Sequence, residues 1–147
     1  MAPLCALLLL CLLSAAPLSR SQQPEEEALI QAEYVQPLGG WVAMNPQSPE
    51  VQEAAEMAVQ VFNSRSKAKK LFRLHHVTSV SKQVTNVISY KIDARIGKTK
   101  CMKSEANDTE SCAFGKKYHL CKFEVTLDPR HDIRKVISSE CRKEPRQ

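Results

Sequence analysis

The chain has 147 residues, a formal net charge of +5 at pH 7, 5 % aromatic residues and six cysteines. Its length suits one domain with one core. The mild positive balance, with no basic stretch interleaved with aromatics, argues against nucleic acid as a partner.

Leu4 to Leu13 is an almost unbroken apolar run, short for a bilayer span and followed by small residues and Pro17. Residues 1–21 therefore read as a cleaved signal peptide, which takes Cys5 and Cys11 with it and makes the protein secreted and extracellular. No second apolar stretch is long enough to form a membrane span. Residues 22–36 read as a flexible arm, since Gln, Pro and Glu25-Glu26-Glu27 offer little to bury. The folded domain is expected over 37–147, opening on Pro37-Leu38-Gly39-Gly40-Trp41. Trp41 is expected to pack against the sheet or the helix.

Ser48-Pro49-Glu50 opens a helix, with Ser48 as N-cap and proline at the first helical position. Val51, Ala54, Ala55, Ala58, Val59 and Phe62 form one apolar stripe of about four turns, and the pattern fades at Asn63. The period then changes to two. Leu71 to Ser81 reads as a strand. Ile88, Tyr90, Ile92, Ala94 and Ile96 alternate with polar residues along a second. The link Gln83 to Val87 makes the two a hairpin. Cys121, Phe123, Val125 and Leu127 mark a third strand that Asp128-Pro129 ends. Val136 to Cys141 forms the last strand, so Pro129 to Arg134 is a second hairpin loop. One helix packed across a four- to five-stranded antiparallel sheet makes the fold α+β.

Cys101, Cys112, Cys121 and Cys141 remain after leader removal. Sequential pairing is the simplest of three connectivities, and Cys121 and Cys141 fall on consecutive antiparallel strands. Each bridge adds roughly 2–4 kcal/mol. Paired thiols neither attack a carbonyl nor ligate a metal. Asn107-Asp108-Thr109 is a glycosylation sequon in the loop between Cys101 and Cys112. No phosphate-binding glycine loop, serine elbow or paired metal-ligand motif is present. His75 and His76 are neighbours in a strand and are expected to face opposite sides. His119 and His131 lack ligand-spaced partners. The expectation is a binding protein with no metal and no cofactor, and not an enzyme.

Gly39-Gly40, the helix, the hairpin at Gln83, the bridges and the Pro129 hairpin together resemble the secreted type 2 cystatins. Ile96-Gly97-Lys98-Thr99-Lys100-Cys101 and Cys121-Lys122-Phe123-Glu124-Val125 carry the likeness most closely. The resemblance implies inhibition of papain-like cysteine peptidases of the cathepsin type. A wedge of arm glycine, first hairpin (Gln-x-Val-x-Gly) and second hairpin (Pro-Trp) would enter the cleft without presenting a cleavable bond. Gly39 matches the arm glycine, with Gly40 after it and Leu38 before it. Gln83 matches the hairpin glutamine, Val84 fills a variable position, Thr85 replaces valine, Asn86 is variable, and Val87 replaces glycine. Pro129 matches, but Arg130 replaces tryptophan. Val87 would be strained if the loop required φ > 0 there. The resemblance therefore implies weakened inhibition, with a non-inhibitory binding or self-assembling protein as the alternative. A monomer is expected. Exchange of the helix and adjoining strands through the first hairpin is the route to a domain-swapped dimer. Lys67 stands where legumain-inhibiting members carry asparagine, which implies no legumain inhibition.

Overall fold

Val51, Ala54, Ala55, Ala58 and Val59 are buried along one side of a helix, α1 (Pro49–Arg65), and this stripe packs against the sheet. The computed structural model describes residues 39–105 and 108–146. The expectations for the leader, the arm, Leu38 and Asn107 lie outside that range. Pro49 occupies the first turn of α1, where a missing N–H costs nothing. Ser48 is the N-cap by backbone conformation, but its side chain makes no capping bond. Its hydroxyl is buried without a partner, and only its carbonyl receives the first helical amides, from Val51 and Gln52 at 3.1 Å.

Five strands follow chain order in one antiparallel sheet: β1 (Trp41–Ala43), β2 (Lys70–Val84), β3 (Ile88–Met102), β4 (Phe114–Asp128) and β5 (Ile133–Lys143). β1 precedes the helix and pairs only with Ser81 to Gln83. Tyr90, Ile92, Ala94 and Ile96 of β3 are buried with Val80 and Val77 of β2 and with Val125, Phe123 and Cys121 of β4. These residues form the face covered by α1. Cys121 pairs directly with Cys141 across β4 and β5, their Cα atoms 4.1 Å apart, and Cys101 bonds Cys112, Cα atoms 5.8 Å apart. The sequential connectivity is the one present.

The long strands run beyond their expected ends. β4 begins at Phe114 because Thr99 of β3 pairs with it, and β5 extends from Ile133 to Lys143. Irregularities in the β2–β3 ladder bring one correction. The register shifts between Leu74 and His76, so the side chains of His75 and His76 do not point to opposite faces. Their Nδ1 atoms lie 2.6 Å apart on the exposed surface.

Candidate functional site

Antiparallel pairing fixes which loops meet. Val84 pairs with Ile88, Ile88 with Leu127, and Asp128 with Ile133. The first hairpin loop, Thr85 to Val87, therefore lies beside the second, Pro129 to Asp132, at one end of the sheet. Gly39 joins them there. Its amide donates to the Val84 carbonyl at 3.1 Å, and the Gln83 side-chain amide donates to the Gly39 carbonyl at 2.7 Å. Gln83 thus ties the arm to the hairpin across 44 positions of sequence.

Gly39 has φ +92°, and a Cβ built there meets nothing within 4 Å. The need for glycine at this position is conformational and not a matter of space. Gly40 follows and leads into β1.

The first hairpin is held by its own polar atoms. The Thr85 amide donates to the Val87 carbonyl at 2.9 Å. The Thr85 hydroxyl accepts from the Val87 amide at 3.4 Å and lies 3.2 Å from Asn86 Oδ1. A valine at position 85 would keep the backbone bond but lack the hydroxyl contacts. Among the described residues, Asp132 (φ 51°) is the single non-glycine residue with positive φ. The condition under which Val87 would be strained is therefore not met, because the loop reaches its shape without a left-handed residue there.

The second hairpin is organised by Asp128. One carboxylate oxygen accepts the Arg130 amide at 2.9 Å, and the other pairs with His131 Nδ1 at 2.9 Å. The Arg130 guanidinium lies 3.6 Å from the same carboxylate with its side chain 65 % exposed. Arg130 is thus loosely engaged within its own hairpin. The His131 contact, then the Arg130 amide, hold the Asp128 carboxyl below its ordinary value of 3.8. A carboxyl lowered on folding contributes stability that is present above 3.8 and is lost as pH falls through the folded value. An NMR titration should find Asp128 below 3.8 in the native chain and higher in His131→Ala. An unchanged value in the variant would remove the imidazole as the cause.

Trp41 adds an aromatic to this end. It is not sunk into the core but is 39 % exposed, with the Lys91 ammonium 4.3 Å from its ring centroid. Its register opposite Gln83 puts it beside the glycines. Behind the hairpins, Tyr90 bonds Glu50 at 3.1 Å; burial, then that carboxylate, pushes its phenol up to about 12. Arg134 pairs with Glu53 of α1. Among the described residues, no three His, Cys, Asp or Glu side chains cluster to hold a metal ion, and no helix is long and apolar enough to cross a membrane.

A model of the cystatin domain family matches residues 39–130. The chain is 34 % identical over 109 residues to cystatin-C of Bos taurus, covering 71 % of this chain and 73 % of that protein. It is 30 % identical over 144 residues to cystatin-SA of Homo sapiens, covering 95 % and 96 %. The crystal structure of dimeric human cystatin F matches with a TM-score of 0.69 at 22 % identity, covering 77 % of this chain and 94 % of that one. The salivary cystatin of the soft tick Ornithodoros moubata matches with a TM-score of 0.63 at 22 % identity, covering 71 % and 97 %. The chain belongs to the cystatin family. Cystatins are peptidase inhibitors, so this chain is not an enzyme.

Proposed function

We propose that this protein is a secreted, reversible inhibitor of papain-like cysteine peptidases of the cathepsin type. The observation that carries the reading is the meeting of Gly39, the Thr85 to Val87 loop and the Pro129 to Asp132 loop at one end of the sheet. Leu38, Gly39 and Gly40 would follow the cleft on one side. Gln83, Val84, Thr85, Asn86 and Val87 would enter its centre, and Pro129 and Arg130 its far rim. A narrow cleft closed over backbone and small side chains loses water without receiving a peptide bond in attack geometry. Inhibition is weakened because Val87 adds side-chain bulk at the loop and Arg130 supplies no aromatic anchor. Leader removal after residue 21 would export the chain, leaving 22–36 as the arm and 37–147 as the domain. Asn107 would carry a glycan, which removal by an amidase reads as a mass shift.

Titrating papain and a lysosomal cathepsin with the disulfide-bonded protein tests the reading. Reversible inhibition at nanomolar to low micromolar levels is expected. No inhibition at tens of micromolar, from folded protein, would make this a non-inhibitory cystatin. Gly39→Ala should weaken inhibition by about tenfold, because an alanine in the left-handed region costs about 1–2 kcal/mol. Equal inhibition by the variant would take the arm out of the interface.

A further inference from the structure

At the end of the sheet away from the hairpins lies a groove of about 910 Å³ with a cationic rim. Its rim carries Arg95, Lys98, Lys116, Lys117, Lys143 and Arg146, and its carboxylate is Glu144. That carboxylate is already engaged by Arg95, at 2.8 Å. A second depression shares Lys98, Lys116 and Lys117 and adds Lys70 and Lys100. Eight cations therefore meet one carboxylate here, although the whole chain is only +5. Eight of the chain's 21 Lys and Arg residues thus gather here against one of its 16 acidic residues.

The arrangement follows from topology. Lys70 lies on β2, Lys98 and Lys100 on β3, Lys116 and Lys117 on β4, and Lys143 ends β5. The cations come from four neighbouring strands and gather around this end of the sheet. The floor is partly aromatic. The Phe72 ring lies tilted against the His119 ring, centroids 4.8 Å apart, with Phe62 edge-on to both. His119 Nδ1 is buried there without a hydrogen-bond partner. Burial, then Lys143 and Lys98, lowers its pKa, so the ring is held neutral among ammonium groups.

We propose that this groove binds a linear sulfated polysaccharide of the glycosaminoglycan class. Sulfates would pair with the cations around the groove, and the chain of sugars would run along its length. Concavity argues for a chain-like polyanion over a flat anionic membrane. Among the described residues, the exposed large apolar side chains that could enter a bilayer, Trp41, Val84, Ile133 and Ile137, lie outside the groove. About ten residues of β4, roughly 30 Å of strand, separate Lys117 from the second hairpin. A peptidase held at the hairpins and a glycan held in the groove would not collide, so the site would tether the inhibitor to sulfated matrix.

Calorimetric titration of the full chain tests this with three probes: a heparin-class oligosaccharide, the same oligosaccharide desulfated, and phosphatidylcholine vesicles containing phosphatidylserine. The sulfated probe is expected to bind, weakening steeply with added salt as counterions are released, and to shift the His119 ring resonances. The double reversal Lys116→Glu/Lys117→Glu should weaken it by about tenfold or more, since each sulfate that no longer meets a lysine keeps its counterion. Lys143→Gln/Arg146→Gln should weaken it less. The charge-matched Lys122→Glu/Lys135→Glu, on other parts of the sheet, should bind as the native chain does. Equal weakening in that control would reduce the effect to net charge and overturn the site. So would tighter binding to the vesicles, or no binding of the sulfated probe near physiological salt. Peptidase titration of the same variants should be unchanged, which keeps this test separate from that of inhibition.

Discussion

Replacing Arg130 with tryptophan tightens inhibition of papain by about 10–100-fold, on the expectation that a buried aromatic at the hairpin tip adds roughly 1.5–3 kcal/mol. The tip is built to accept the exchange. Its turn is held by the Arg130 backbone amide on Asp128 at 2.9 Å and by His131 on the same carboxylate, and neither contact uses the Arg130 side chain. What the substitution gives up is a guanidinium contact at 3.6 Å on an exposed residue. Pairs of that kind contribute little. The melting temperature should therefore stay within about 2 °C, as for surface changes in general. A tighter inhibition constant at constant stability would place the second hairpin in the interface. An unchanged constant would leave inhibition to the arm and first hairpin. Val87→Gly is a weaker companion test. It acts through the space its side chain occupies and through the freer glycine backbone, since there is no positive φ for glycine to relieve.

The helix and the central strands are legible in the sequence because their burial has a strong period. The stripe from Val51 to Phe62 repeats as a helix face, and Ile88 to Ile96 and Cys121 to Leu127 repeat as strand faces. β1 is not legible, because three residues hold too little alternation to be told from a loop. The first residues of β4 are hidden for a different reason. Gly115-Lys116-Lys117 has no apolar alternation and falls at an irregularity in the ladder, between the Gly97–Tyr118 and Thr99–Phe114 pairs. The shift that brings His75 to His76 belongs to the ladder between two strands and leaves no mark on either one. At the candidate site, the positions of Gly39, Gln83 and Pro129 come from resemblance. The bond from Gln83 to the Gly39 carbonyl is a tertiary contact that no local pattern contains.

Asn63 leaves only a faint mark in the sequence. The residue stands where the apolar stripe fades, yet it is 8 % exposed and completes the fold at the helix end. β1 pairs only with the far end of β2, so β2 has no neighbouring strand on that side at Phe72. The Asn63 side chain takes the place of one. Its Nδ2 donates to the Phe72 carbonyl at 2.7 Å, and its Oδ1 accepts the Phe72 amide at 2.8 Å. Lys103 Nζ then closes the helix by donating to the Asn63 and Ser66 carbonyls, at 2.6 and 2.7 Å. In Asn63→Leu both Phe72 backbone groups stay buried with no partner, at about 1–3 kcal/mol each. The expected loss is about 2–5 kcal/mol, which lowers the melting temperature of a domain this size by about 10–20 °C. Ser64→Ala, one position on and exposed, should move it by no more than about 0.5 kcal/mol. A melting temperature within about 2 °C of native for Asn63→Leu would mean that water replaces the amide at no cost and that the helix end is held by Lys103 alone. The hairpins lie at the opposite end of β2. Papain inhibition measured well below the melting temperature should therefore be the same in the variant as in the native chain. A change in that constant would show that the helix end and the hairpins are coupled through β2.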